Sequence, residues 1–260
     1  MANVFFGIPG VAHPVALAGA GVSYASMVSG STPFDPSQIP NLTVMLWNKI
    51  GNVYTDNPPT VPATAGQAVA ASKGQYGTSV NATQGTALLQ PTARTDGLEF
   101  DALGLKSLAT ADQALTALTI YCGGNIDSGS SNYIAYANSG GTTGLIGVFS
   151  GVPTLVDDNQ ENVLQTASPA SGPTLIRANV TSAGAESLIA TGNTEATGSV
   201  SPGAPFTFNN IAVSGGASAG NDSAANRYLL LMVIARSIVL GSAEDLQIRQ
   251  WIDDNLNLSL

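Results

Sequence analysis

The sequence has little charge for its length. Asp, Glu, Lys and Arg make up 10% of its 260 residues, against roughly 25% in an average soluble domain. Solvated helices normally carry Lys and Glu on their outer faces, so this composition disfavours a helical protein. The 29 glycines suit short strands joined by many turns. We therefore expect an all-β protein, and its 44% apolar content is enough for a sizeable core.

The chain also has one histidine and one cysteine, which excludes several kinds of chemistry. His13 alone cannot form a His–His zinc site. It also lies in the N-terminal segment, so we expect no Ser/His/Asp set and no histidine base for a nucleophile elsewhere in the chain. Cys122 has no partner for an intrachain disulfide. It stands in the run LTIYCGG, which predicts a buried strand and an inert thiol. The sequence therefore predicts a protein that is not an enzyme and that holds no cofactor.

The eight basic residues are scattered, and the formal net charge is −9. Nucleic acids and anionic membrane surfaces bind concentrated cationic faces, so we expect neither as a partner. The opening residues 1–21 contain no Lys or Arg, and Gly and Pro interrupt their apolar stretches. This pattern is unlike a signal peptide or a membrane-spanning helix.

Residues 1–40 are predicted to form an extended apolar arm. Their first charged residue is Asp35, and prolines at 33, 36 and 40 indicate a hinge. The arm is too apolar for a solvated, disordered tail. It is either an edge strand of its own domain or, as we favour, an anchor against another subunit. The anchoring residues would be Val4, Phe5, Phe6, Ile8 and Val11.

Residues 41–260 show about a dozen short β segments separated by turns. This rhythm predicts one two-sheet sandwich of jelly-roll type. The predicted strands are 42–46, 52–56, 67–71, 98–103, 115–122, 132–137, 142–150, 154–158, 162–167, 174–180, 186–192, 207–213 and 227–239.

One short helix is predicted at the C-terminus, in GSAEDLQIRQWIDDNL. Ser242 is its expected N-cap, and Asp245 follows three residues later, as in a capping box. Glu244 and Asp245 stand in the first turn, where the helix dipole favours negative charge. An apolar stripe should dock the helix on the sandwich. That stripe consists of Leu246, Ile248, Trp251 and Ile252.

Two stretches of the chain carry a recognisable pattern. The first, Leu46–Asp101, has a Leu/Trp strand, a Gly-rich phrase ending in Asn-Ala-Thr-Gln, then Pro-Thr and Phe-Asp. The second is the apolar closing strand YLLLMVIARSIV with its terminal helix. Together they resemble the concanavalin A-like lectin/glucanase (LamG-like) domain of bacteriophage virion structural proteins. The matching residues are Ser72, Lys73, Gly74, Gly77, Asn81, Ala82, Thr83, Gln84, Pro91, Thr92, Gly97, Leu98, Phe100 and Asp101.

The resemblance implies a concanavalin A-like jelly-roll β-sandwich and a place in the virion, assembled in the host cytoplasm. The chain would be a minor capsid, head decoration or fibre component. It would be a homo-oligomer attached through its arm to other virion proteins such as the major capsid protein. The alternative is a carbohydrate-binding host-adhesion protein of the tail-fibre type, which recognises host surface carbohydrate. The chain departs from the family after Phe-Asp, where Ala102, Leu103 and Gly104 follow.

Glucanases on this fold place carboxylates alternately along one strand. Glu99 and Asp101 have that i,i+2 spacing, which puts both on one face of a strand. A further glutamate should follow two or three residues later, but residues 103–105 are Leu, Gly and Leu. We therefore expect Glu99 on the surface and Asp101 at a turn, without glycosidase activity.

The densest acidic cluster includes Asp157, Asp158 and Asn159. Calcium takes six to eight oxygen ligands, which an Asp/Asn-rich loop can supply. The surrounding sequence TLVDDNQENVLQ equally predicts a hairpin with a polar turn, and we favour the turn over the calcium site.

Aromatic side chains near turns are candidate sugar-binding platforms, because the CH groups of a sugar stack on a ring. Four tyrosines qualify, although packing in the core or at its rim is the favoured interpretation for each. They are Tyr54, Tyr76, Tyr133 and Tyr136.

Overall fold

Seventeen strands and one helix make up the described part of the chain. The computed structural model describes residues 34–101, 106–115, 117–126, 132–139, 142–149, 151–156, 163–181, 184–199, 206–211, 227–236, 242–256 and 258. The strands are Leu42–Trp47 (β1), Val53–Tyr54 (β2), Ala71–Ser72 (β3), Ala82–Thr83 (β4), Thr92–Arg94 (β5), Gly97–Asp101 (β6), Leu108–Leu115 (β7), Leu118–Ile126 (β8), Asn132–Ser139 (β9), Thr142–Phe149 (β10), Val152–Val156 (β11), Val163–Gln165 (β12), Gly172–Val180 (β13), Ala185–Ala190 (β14), Ala196–Ser199 (β15), Phe206–Ile211 (β16) and Arg227–Arg236 (β17). The helix, α1, comprises Ser242–Leu256.

The strands form two sheets whose inner faces share one core. The eight-stranded sheet has the order β15-β14-β13-β8-β17-β6-β5, and β1 also pairs with β17. The nine-stranded sheet has the order β12-β11-β10-β9-β16-β7-β4-β3-β2. Neighbouring described strands pair antiparallel throughout, for example β8 with both β13 and β17. The predicted all-β, jelly-roll sandwich with a short C-terminal helix is confirmed.

Strand β8 shows how the sequence builds both faces of the eight-stranded sheet. Successive side chains of a strand point to opposite faces. Leu118, Ile120 and Cys122 lie in the core between the sheets, while Tyr121 belongs to a second apolar cluster on the other face. Burial raises the pKa of the Cys122 thiol, because a thiolate would lose its solvation there. The expected position of Cys122 in the core is confirmed.

The second cluster lies between helix α1 and the outer face of the eight-stranded sheet. The helix contributes apolar side chains from its middle, and strands β1, β8, β13 and β17 contribute one residue each. Because this sheet is covered on both faces, β17 is a nearly continuous apolar run in the sequence rather than an alternating one. The buried members are Ile39, Met45, Tyr121, Leu175, Ile234, Ile248, Trp251, Ile252 and Leu258.

The helix docks by a slightly different face from the predicted one. Ile248, Trp251 and Ile252 are buried as expected, but Leu246 is 59% exposed, so its place in the stripe was wrong. Asp245 is only 6% exposed. Residues 245, 248 and 252 are three, four and seven positions apart, which places them on one side of an α-helix. Residue 246 is turned about 100° away from 245, toward solvent.

Asp245 anchors the helix to two strands. Its Oδ1 accepts a hydrogen bond from the Tyr121 hydroxyl on β8, and its Oδ2 accepts one of 2.8 Å from Arg177 Nη1 on β13. Arg249 Nε lies 3.0 Å from the same Oδ2, one helical turn on. Arg177 also contacts Glu195 through Nη2. Burial and then the Asp245 charge raise the pKa of Tyr121, so its hydroxyl stays a donor.

Among the described residues, Arg236 at the end of β17 has the largest fully buried side chain, and it is 1% exposed. Its register partners on the sheet are Leu42 and Thr119. Burial lowers the pKa of its guanidinium, and the charge of Glu244 opposes that shift. Glu244 in the first turn of α1 thus acts on a buried cation as well as on the helix dipole.

The sandwich also includes the last residues of the predicted arm. Asp35 accepts a hydrogen bond of 2.9 Å from Ser37 N and caps a 3₁₀ turn, Pro36–Gln38. Ile39 is buried in the second cluster, and Phe34 packs against it. The anchoring residues Val4, Phe5, Phe6, Ile8 and Val11 lie outside the described residues, and anchoring stays a prediction.

We predict that Asp245→Asn lowers the free energy of unfolding by about 3 kcal/mol, because it removes the buried carboxylate charge that pairs with Arg177 and Arg249 and leaves Arg177 with Glu195 alone. Asp253→Asn, on the exposed side of the same helix, is the matched control and should change stability by less than about 0.5 kcal/mol. Urea unfolding measures both. Equal effects of the two substitutions would contradict the anchoring role of Asp245.

Candidate functional site

Three aromatic rings meet where β1 and the middle of α1 come together. The rings of Trp47 and Trp251 have centroids 5.8 Å apart and planes at 79°. Those of Tyr76 and Trp251 are 5.7 Å apart at 86°. Both are edge-to-face contacts, which the quadrupoles of aromatic rings favour. We call Trp47, Tyr76 and Trp251 the aromatic corner.

The aromatic corner has a buried centre and a partly exposed rim. Trp251 is 9% exposed, whereas Trp47 and Tyr76 are half-buried. The ammonium nitrogen of Lys49, an exposed residue, lies 3.6 Å from the centroid of the Trp47 ring. On the other side, burial and then the Asp35 charge raise the pKa of Tyr76. Two ring surfaces and a cation therefore meet at one place on the surface, and the charge of Asp35 acts on one of the rings.

Tyr76 has a backbone conformation that is uncommon for its residue type. Its φ is 52°, in the left-handed region, and Gly77 follows at 84°. The Gln75 carbonyl oxygen accepts hydrogen bonds from Thr78 N at 3.1 Å and from Thr78 Oγ1 at 2.9 Å. Gln75 N donates to Met45 O on β1 at 2.9 Å. Non-glycine residues in this region persist where the surroundings impose them, and they concentrate at functional sites.

The Gly-rich phrase that carries the family resemblance builds the loop of Tyr76. Gly74 N donates to Asn81 Oδ1 at 3.0 Å. A Cβ at Gly74 would lie 2.6 Å from the carbonyl oxygens of both Thr78 and Val80, so only glycine fits there. Below the loop, Ser72 Oγ donates to the buried Asn48 Oδ1 at 2.6 Å. These residues therefore hold the loop in shape and leave Tyr76 at its rim.

The four predicted tyrosines do not meet in one site. Tyr76 belongs to the aromatic corner, while Tyr54 lies on β2 at the edge of the other sheet and donates to Gly51 O at 3.3 Å. Tyr133 and Tyr136 lie within β9 rather than in turns, and their side chains lie outside the description. Across the nine-stranded sheet, Tyr136 and Tyr54 are five strand-to-strand steps apart. At the usual strand spacing this is a separation of about 24 Å.

Glu99 occupies a different environment from the predicted one. It alternates on β6 with Leu98 and Phe100, which lie in the core, so it projects from the outer face. The residue is 8% exposed rather than on the surface, and its carboxylate forms an ion pair with Arg94. The Arg94 side chain reaches across the β5–β6 hairpin, which explains the burial. The backbone of Asp101 ends strand β6. Its side chain and the residues after it lie outside the described residues, so its expected turn position stays a prediction.

The acidic cluster is only partly visible. Strands β11 and β12 pair as a hairpin, with Val156 opposite Val163, as the polar-turn interpretation predicted. Asp157, Asp158 and Asn159 lie outside the described residues, so calcium binding there stays a prediction. Within the described ranges, no three His, Cys, Asp or Glu side chains are grouped to hold a metal ion. No helix in those ranges has the length and apolarity to cross a membrane.

Comparison with known proteins finds similarity in structure alone. No model of a protein family matches the sequence, and no curated protein matches it. The binding domain of Paraclostridial Mosquitocidal Protein 1 is similar, with a TM-score of 0.54, 13% identity and coverage of 82% of this chain and 53% of that one. The ligand binding domain of Botulinum neurotoxin serotype D, in complex with N-acetylneuraminic acid, is also similar. Its TM-score is 0.53 at 9% identity, and the match covers 81% of this chain and 50% of that one.

A sialidase of Trypanosoma rangeli is also similar, with a TM-score of 0.48 and 13% identity over 85% of this chain and 34% of that one. A likeness at that score carries no argument. The chain spans about half the length of the two toxin domains, and the identities are low. The comparisons therefore confirm the fold, a β-sandwich of the lectin-like kind, and leave the activity to the site itself.

Sequence analysis missed two of the three rings and the cation. The position of Trp47 could have been predicted, because it lies two residues after Met45 on β1 and therefore on the same, outer face of the sheet. Trp251 was predicted as a packing residue, which it is, but its contact with Tyr76 joins positions 175 residues apart. No local pattern reports a contact of that range.

We predict that Gly74→Ala distorts the loop of Tyr76 and lowers the free energy of unfolding by about 1–3 kcal/mol, because its Cβ overlaps two backbone oxygens. Gly85→Ala is the matched control, since a Cβ there meets nothing within 4 Å and its φ is ordinary. Thermal unfolding compares them. A Gly74→Ala protein as stable as Gly85→Ala would contradict the close backbone approach.

Proposed function

We propose that this chain is a non-enzymatic carbohydrate-binding protein and that the aromatic corner is its sugar-binding surface. The observation that carries the proposal is the pair of partly exposed rings, Trp47 and Tyr76, each held edge-on by the buried Trp251. Rings fixed in this way offer large contact area with little loss of side-chain entropy. Asp35 and Lys49 add polar groups that orient a hydroxyl-rich ligand.

The structural neighbours support this choice. Both toxin neighbours are binding domains by name, and one is described with N-acetylneuraminic acid bound. Carbohydrate binding on a sandwich of this kind is therefore a reasonable expectation, although fold likeness alone does not assign it.

The ion pair of Glu99 supports a binding role over hydrolysis. Glycoside hydrolysis requires two carboxyl groups, one of them a proton donor. The Glu99 carboxylate is engaged by Arg94, and residues 103–105 supply no further carboxylate.

We predict that Trp47→Ala weakens sugar binding at least about tenfold, the effect of losing roughly 1.4 kcal/mol of stacking. The ligand is first chosen on a glycan array with the full chain, and its Kd is then measured by calorimetry. Tyr54→Ala is the control, since it removes a half-buried ring from the other sheet.

Loss of binding in Tyr54→Ala with full binding in Trp47→Ala would move the site to the nine-stranded sheet. A full chain that binds no glycan on the array would overturn the proposed function.

A virion role is the second proposal, and the uncharged apolar sequence of residues 1–33 favours it. The chain would be a homo-oligomeric capsid, decoration or fibre component that binds virion proteins through its arm and displays the sandwich outward. Deletion of residues 2–33 tests it, because that cut spares the packed segment from Phe34 to Ile39. Loss of oligomers and of virion association with a folded sandwich supports the role; two identical soluble monomers would contradict it.

A further inference from the structure

The position of Lys49 bears on the kind of sugar that the aromatic corner accepts. Its ammonium group stands over the centre of the Trp47 ring, where a stacked sugar would lie. A cation above an indole is attracted by the negative face of the ring, so this contact competes with a ligand. Any sugar that stacks on this face must first move Lys49.

Lys49 is also the available cation at this place. Among the described residues, no carboxylate lies within ion-pair distance of its ammonium group. Its side chain is exposed, and the four-carbon stem of a lysine lets the charge move several ångströms without backbone change. The ammonium can therefore leave the ring for a better partner.

We propose that Lys49 makes the aromatic corner selective for sugars that carry an acid group, such as a carboxylate. This inference rests on the proposed carbohydrate-binding function and adds the substrate class. A neutral sugar must displace the ammonium group and gives it no charge in return. An acidic sugar offers Lys49 an ion pair, which draws it off the Trp47 ring and leaves that ring free to stack.

The electrostatics of the surroundings give the bound sugar a direction. The formal net charge is −9, so the protein as a whole repels anions and a local cation must overcome that repulsion. The Lys49 ammonium group stands over the Trp47 ring, so the acid group of the sugar would lie on the Trp47 side of the corner.

The test uses pairs of ligands that differ only in whether their carboxylates are free or esterified. These are 3′-sialyllactose with its methyl ester, and trigalacturonic acid with its trimethyl ester. Calorimetry at low salt should show the full chain binding at least one acidic member about fivefold or more tightly than its neutral counterpart. Lys49→Met should reduce this preference below about twofold, while Lys49→Arg, which keeps a cation that stacks on indole, should retain it.

Lys73→Met controls for net charge, since it removes one positive charge from an exposed side chain of the same loop region. Near-equal binding of the acidic and neutral members by the full chain would overturn the selectivity and leave the proposed function intact. So would a preference that survives in Lys49→Met, or one that Lys73→Met abolishes equally. Failure to bind any of the four ligands, while another glycan binds on the array, would overturn the selectivity alone. Failure to bind any glycan at all would overturn the proposed function with it.

Discussion

The docking of helix α1 on the eight-stranded sheet depends on the hydrogen bonds and ion pairs of the buried Asp245 carboxylate. This carboxylate joins helix α1 to β8 through Tyr121 and to β13 through Arg177. A buried charge is costly unless it is paired and hydrogen-bonded, so these partners fix the helix in one position. The fixed helix covers the outer face of the eight-stranded sheet and completes a second apolar cluster.

The same docking creates the aromatic corner. Trp251 lies six residues after Asp245 on α1, and its ring contacts Trp47 from β1 and Tyr76 from the loop after β3. The loop is separately constrained by Gly74 and Asn81. Helix and loop are thus each held by their own contacts, and the partly exposed rings lie at their junction. Rigid support of this kind is what a binding surface needs to keep its geometry.

Much of the fold could be predicted from the sequence because it depends on local signals. Low charge, abundant glycine and two-residue alternation indicate a sandwich, and the acidic first turn locates α1. The misses have a common physical cause. Strand β7, LATADQAL, has one β-branched residue, Thr110, and no aromatic residue, so its own sequence does not predict a strand, and it forms by pairing with β4 and β16. Likewise, the helix buries Asp245 and exposes Leu246 because Asp245 bonds to Tyr121 and Arg177, which are distant in sequence.

The candidate site was less predictable than the fold. Tyr76 was among the tyrosines selected from turn patterns, but the pattern could not say that its ring meets Trp251. The cation at Trp47 could not be predicted for a similar reason. A separation of two residues in the sequence does not indicate that the Lys49 ammonium group lies 3.6 Å from the centre of the Trp47 ring. The motif that suggested a lectin-like domain proved informative in another way, because its glycine and asparagine shape the loop of Tyr76.

A crystal structure of the chain with 3′-sialyllactose would test the central claim most directly. The account predicts a sugar ring against Trp47 and Tyr76, with the carboxylate within hydrogen-bond distance of Lys49 Nζ and Lys49 moved off the indole. A sugar bound at Tyr133 and Tyr136, or at Tyr54, with the aromatic corner empty and Lys49 still over Trp47, would contradict it.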